Sequence, residues 1–122
     1  MRVLDGGFGS GHPDHMTAGD STLSAIFPTA RDHMTFPELV DEGFEPHKVA
    51  EAWIMGHPEP DLWVDISEHM EVSVKALTCH VSQMSGQSFE EVLERMTEWR
   101  SERGKGRGMP QADAFRRIYY RR

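Results

Sequence analysis

Val49-Ala50-Glu51-Ala52-Trp53-Ile54-Met55, Gly56-His57-Pro58-Glu59-Pro60-Asp61 and Leu62-Trp63-Val64-Asp65-Ile66 follow one another, and this stretch decides the fold class. The two outer runs are short, apolar and rich in β-formers, while glycine and two prolines between them form turns, so 49–55 and 62–66 are predicted as strands. Downstream, Ile66, Met70, Val74, Leu77, Val81 and Met84 step by threes and fours, which predicts a four-turn helix with Asp65 and Glu68 placed as a capping box. Ser88 and Glu91 repeat that box ahead of Phe89, Val92, Leu93, Met96 and Trp99, a second helix ending near Gly104 with arginines in its last turn. Glycine at every second position from Gly104 to Gly108 predicts a loop, and Ala112, Phe115, Ile118 and Tyr119 suggest a short final helix.

Working upstream, Pro28, Pro37, Gly43 and Pro46 leave room only for a short helix around Glu38 to Glu42. Before Pro28, the positions Met16, Asp20, Leu23 and Phe27 recur at helical spacing, and a loop with four glycines in residues 1–11 feeds that helix. Strands and helices together predict an α/β fold, few strands with three or four helices, in a single domain over residues 1–122.

Hydrophobic residues at 38% and charged residues at 27% exclude a disordered or fibrous chain. No apolar run is long enough for a membrane span or a secretory signal, so no membrane partner and a cytoplasmic location are expected. The only cysteine, Cys79, excludes an intrachain disulfide and a cysteine metal knuckle, leaving His and carboxylate as metal ligands. The net charge of −7 is uneven: residues 1–99 hold 18 acids against 5 bases, residues 100–122 hold 8 bases against 2 acids. An acidic body repels a polyanion that the tail would attract, so nucleic acid is not an expected partner.

Gly11-His12-Pro13-Asp14-His15 is the segment with chemistry in it. Pro13 suits a first helical position and Asp14 complements the positive end of a helix dipole, which sets His12 and His15, three apart, on one side of a helix start. Imidazole is a common zinc ligand, and Asp14 is the local group able to orient a ring through its other nitrogen. The same spacing also describes a helix cap with solvated side chains.

The stretch Asp5-Gly6-Gly7 through His12-Pro13-Asp14-His15-Met16-Thr17-Ala18-Gly19 resembles the second signature of the PIG-L/LmbE-type N-acetyl-sugar deacetylases. Phe27-Pro28-Thr29-Ala30-Arg31-Asp32, Phe36-Pro37-Glu38-Leu39, Glu45-Pro46-His47-Lys48-Val49, Trp63-Val64-Asp65-Ile66 and His80-Val81-Ser82-Gln83 are similar to bacterial members in the same order. Ala112-Asp113-Ala114-Phe115-Arg116 resembles their closing Ala-Glu-Ala-Phe run. The resemblance implies zinc-dependent hydrolysis of the N-acetyl amide of an amino sugar or glycoconjugate, with His15 as a zinc ligand, His12 as the charged or proton-donating group and Asp14 orienting a histidine. In the family an earlier Ala-His-Pro-Asp-Asp motif supplies the other ligands and the general base. That motif belongs upstream of residue 1, so the resemblance implies that 1–122 corresponds to the second half of the family fold, part of a Rossmann-like sheet, and is expected alone to bind zinc weakly and to be inactive.

The resemblance further implies a homodimer or an N-terminal partner chain that covers the exposed sheet edge and helix faces. The alternative from another class is a non-catalytic binding or assembly module, or a truncated fragment, that keeps the fold without the chemistry. His57 in Gly56-His57-Pro58-Glu59-Pro60-Asp61 is assigned to a turn, and His80, Ser82 and Gln83 to a helix terminus rather than a substrate cleft. Trp53, Trp63 and Trp99 are expected in the core, as are Met16, Met70, Met84 and Met96, with Cys79 inert among them.

Overall fold

Apolar periodicity is realised most directly in the helix from Phe89 to Gly104 (α4), seen in a computed structural model that describes residues 12–84 and 86–120. The glycine-rich loop expected over residues 1–11 lies outside the described residues. Ser88 Oγ accepts the amide hydrogen of Glu91 at 3.2 Å, and the Glu91 carboxylate accepts that of Ser88 at 2.8 Å. Both donors would otherwise be orphans of the first turn, so the capping box fixes where the helix starts.

The remaining elements, in chain order, are helix α1 (Pro13–Ile26), helix α2 (Pro37–Asp41), strand β1 (Glu51–Met55), strand β2 (Leu62–Asp65), helix α3 (Met70–Thr78) and strand β3 (Ala112–Tyr119). Three-residue 3-10 turns sit at Thr29–Arg31, Ser67–His69 and Val81–Gln83. The strands form one sheet in the order β1-β3-β2, so the α/β class and both upstream strands stand as the sequence predicts. Strand β2 runs antiparallel to β3, pairing Leu62 with Phe115, Trp63 with Ala114, Val64 with Asp113 and Asp65 with Ala112.

The last element corrects the sequence prediction, because residues 112–119 form a strand and not a helix. Ala112, Phe115, Ile118 and Tyr119 do fall at helical spacing, but Ala112 and Ala114 are the buried pair, which is the two-residue period of a strand packed on one face. The long helix expected over 66–84 is also shorter. Asp65 Oδ1 accepts from the Ser67 amide and hydroxyl, at 3.0 and 2.6 Å, instead of closing a box with Glu68. At the other end, the Thr78 hydroxyl and Cys79 thiol both donate to the Lys75 carbonyl, and His80 leaves helical geometry at φ −82°, ψ 61°. Side chains that compete for backbone partners end helices in this way.

The chain groups into two compact units, Met1–Pro58 with Arg117–Arg122, and Glu59–Arg116. In the second unit, Val74 of α3, Met84 and Val92 of α4 form a buried cluster flanked by Leu77, Phe89, Leu93 and Met96. Burying each valine contributes about 1.5–2 kcal/mol by area. Beside it Arg100, 8% exposed, points inward from α4. Its guanidinium lies 3.2 Å from Asp113 Oδ1, donates to Ser73 Oγ at 2.9 Å and touches Met70 Sδ at 3.5 Å. Arg103 approaches the same carboxylate at 3.7 Å. Burial lowers its pKa from the ordinary guanidinium value, Asp113 opposes that shift and the Arg100 charge adds to it.

Packing corrects several core assignments. Trp53 and Trp99 are each 46% exposed and Val81 is 79% exposed, while Met70 and Met84 are buried as expected and Met16 and Met96 partly so. Cys79 lies exposed instead of inside a core stripe. No described residue before Met70 is fully buried.

Candidate functional site

Helix α1 begins at Pro13, as the sequence predicts, because proline fills the first helical position and His12, in extended geometry at φ −68° and ψ 129°, caps it. His12 Nδ1 accepts the Asp14 amide hydrogen at 3.2 Å. The imidazole thus does what Ser or Asp commonly does at this position, satisfying one of the orphan donors of the first turn. An acceptor nitrogen carries no proton, so in the neutral ring the hydrogen resides on Nε2. Asp14 Oδ2 stands 3.8 Å from the same Nδ1, near enough to face it when the ring is charged.

His15, one turn on, brings its ring to 5.6 Å from that of His12, centroid to centroid, with the planes at 60°. The structure therefore brings His12, Asp14 and His15 together at one helix start, and all three are exposed. The helix that carries them is held at its far end by the Phe27 amide donating to the Leu23 carbonyl, with the Arg31 guanidinium 5.2 Å above the Phe27 ring. Behind it, Asp32 accepts from the Met34 amide and the Thr35 hydroxyl, each at 2.9 Å, which lowers its pKa below the ordinary carboxylate value. The His47 amide donates to the Ala30 carbonyl at 2.7 Å, so the stretches 27–32 and 45–49 are tied within the same unit.

As metal donors these residues form an incomplete set. Two imidazoles share one side, but the described residues contain no group of three or more His, Cys, Asp or Glu side chains placed to hold one ion. A tetrahedral zinc site needs at least three protein ligands. His12 also uses Nδ1 for the helix cap, while the His15 ring makes no hydrogen bond to another described residue.

The other singled-out residues lie elsewhere. Gly56, at φ 68°, turns the chain after β1, so His57 sits in the expected turn. His80 starts the turn that ends with the Gln83 amide donating to the His80 carbonyl at 2.8 Å, and Gln83 Nε2 donates to Ser82 Oγ. An open depression in the second unit, lined by Ser67, Glu68, Glu71, Lys75, Thr97 and Gln111 among others, contains none of the predicted site residues. No helix of the described residues is long and apolar enough to cross a membrane.

No family model matches this chain. Over 73 residues it is 33% identical to the diacetylchitobiose deacetylase of Thermococcus kodakarensis. The matched stretch takes in 60% of this chain and 27% of that protein, so the similarity is partial and the chain spans about a quarter of the length of the relative it matches.

Proposed function

We propose that this chain carries the His-Pro-Asp-His portion of a PIG-L/LmbE-type deacetylase fold acting on N-acetylated amino sugars, with His15 as a zinc ligand. The observation that carries the proposal is the placement of His12 and His15 side by side at the start of α1, rings 5.6 Å apart. The partial likeness to a deacetylase of acetylated chitobiose supports the substrate class. With one ring left for the metal and one spoken for as a cap, the remaining ligands in this reading come from sequence outside the described residues.

A zinc ion held there would supply Lewis acidity toward the acetyl carbonyl. His12 serves a different role from His15. Its Nδ1 is occupied by the Asp14 amide, so Nε2–H is a donor whose tautomer the helix start itself fixes. A fixed N–H of this kind suits a hydrogen bond to the oxygen of a tetrahedral intermediate, whereas giving a proton to a departing amine would need the doubly protonated ring, which returns to neutral afterwards and whose Nδ1–H would face Asp14 Oδ2. Asp14 contributes through both its amide, which holds the neutral ring, and its carboxylate, which faces Nδ1. In the same reading the exposed Phe27, Phe36, Leu39 and Phe44 of the first unit meet further polypeptide, either from the rest of that fold or from a second copy.

Zinc titration monitored by histidine side-chain NMR tests the assignment. Expected are weak binding, lost on dialysis, and ring shifts largest at His15 that vanish in His15→Ala. The assignment fails if His15→Ala leaves the zinc response unchanged, or if all seven histidines respond alike. In that event a module without deacetylase chemistry becomes the better description.

A further inference from the structure

Six basic residues are described between 100 and 120, and five of them meet a carboxylate: Arg100 and Arg103 share Asp113, Lys105 meets Glu102, Arg116 meets Asp61 and Arg117 meets Glu51. Arg107 is the exception. It is exposed and has no carboxylate partner among the described residues, in a chain whose acids outnumber its bases 20 to 13. Its guanidinium instead lies 3.4 Å from the centre of the Trp63 ring. At that separation the two planes must be nearly parallel, since a tilted guanidinium would drive its NH₂ groups into the indole.

The backbone holds this arrangement in place. The Arg107 amide donates to the Gly104 carbonyl at 3.0 Å, closing a turn at the end of α4. Gly106 and Gly108, on either side, take left-handed φ values of 73° and 70° that side chains disfavour. At Gly104 the Met109 carbonyl passes where a Cβ would stand, so the two ends of the turn are in close contact. Trp63 is itself fixed by strand pairing to Ala114.

A guanidinium stacked flat on an aromatic face has its rotamer settled and its in-plane N–H edge turned to solvent. That edge matches the two oxygens of a carboxylate or phosphate, and pre-ordering lowers the entropy lost on binding. We propose that Arg107 on Trp63 is a recognition point for an oxyanion, a carboxylate or phosphate group carried by a ligand, which supplies the counter-charge that no described carboxylate gives this guanidinium. The site lies wholly within the second unit and is independent of the His12–His15 pair.

The test follows the Gly106, Arg107 and Gly108 amides and the Trp63 indole N–H by NMR in the full chain, while acetate, methyl phosphate or chloride is added at constant ionic strength. Saturable shifts with acetate or methyl phosphate, but not chloride, are expected, and the anion that saturates at lower concentration identifies the source. Arg107→Lys, which keeps the charge and loses the fork, is expected to weaken binding roughly tenfold. Because Arg107 is exposed, this variant and Arg107→Gln should fold normally, checked by unchanged resonances of Val74 and Val92. Equal response to chloride, full retention of binding in Arg107→Lys, or no shift with any anion would each overturn the proposal.

Discussion

Asp113 is shared: Arg100 reaches its Oδ1 at 3.2 Å from inside the second unit, and Arg103 reaches the same oxygen at 3.7 Å from nearer the surface. The two partners are therefore not equivalent to lose. Asp113→Ala leaves two guanidinium groups side by side with no counter-charge, at a cost of about 3 kcal/mol or more. Arg100→Met puts an apolar chain against Met70 and leaves Asp113 with Arg103, so a smaller loss is expected. Urea denaturation of both variants measures the order, and a larger loss for Arg100→Met would contradict it.

Ser88 and Glu91 make a reciprocal pair at the start of α4. Ser88→Ala removes the acceptor for the Glu91 amide and is expected to cost about 1 kcal/mol, with most of it restored by Ser88→Asp. Thermal unfolding of the two variants checks this, and an Ser88→Asp no better than Ser88→Ala would show that the cap contributes little.

Asp65 accepts two hydrogen bonds from Ser67, first from its side chain and then from its backbone, and these lower its pKa from the ordinary value of 3.8. A carboxylate whose folded pKa is depressed adds stability that is present above its unfolded value and is lost as pH falls through the folded one. Compared with Asp65→Asn, the native chain should be more stable near neutral pH, with the gap closing as pH drops below 3.8. Melting curves of both proteins down to low pH measure the gap, and a gap independent of pH would rule out the charge as its source.

Self-association is expected of the chain alone. Phe27, Phe36, Phe44 and Met34 of the first unit are each about half exposed or more. A stable pairing through them should bury at least about 1,000 Å² in total. Sedimentation velocity should show a dimer that Phe36→Asp with Phe44→Asp converts to monomer. A monomer at high micromolar concentration, before mutation, would refute the expectation.

Much of the fold was legible because its signals are local. Pro13 with Asp14, Ser88 with Glu91, and the turn residues 56–61 each specify a terminus from within a few positions. What the sequence misassigned depends on distant partners. Ala112 to Tyr119 fits helical spacing and strand alternation alike, and only pairing to Leu62–Asp65 decides between them. The interruption of α3 at Thr78 and Cys79 arises from side chains turning to the Lys75 carbonyl, a choice that apolar periodicity does not encode. At the candidate site, the adjacency of His12 and His15 follows from their spacing. The use of Nδ1 as a helix cap does not, because it depends on the ring torsion of one side chain. Arg107 passed as a loop residue, although the alternating glycines at 106 and 108 were the signal that the turn there is shaped rather than loose.

The pairing of Leu62 with Phe115 has a consequence for how this chain can be rearranged. The Asp61 amide donates to the Phe115 carbonyl at 2.9 Å, and Arg116 reaches both Asp61 and the Glu59 carbonyl, so the polypeptide enters and leaves the second unit at one place. Among the described residues, every buried side chain, from Met70 to Ala114, lies between those points. A closed excursion of this kind has neighbouring ends, so a backbone cut before Glu59 keeps the buried residues 70–114 together on one side of it, whereas a cut after Arg116 divides β3.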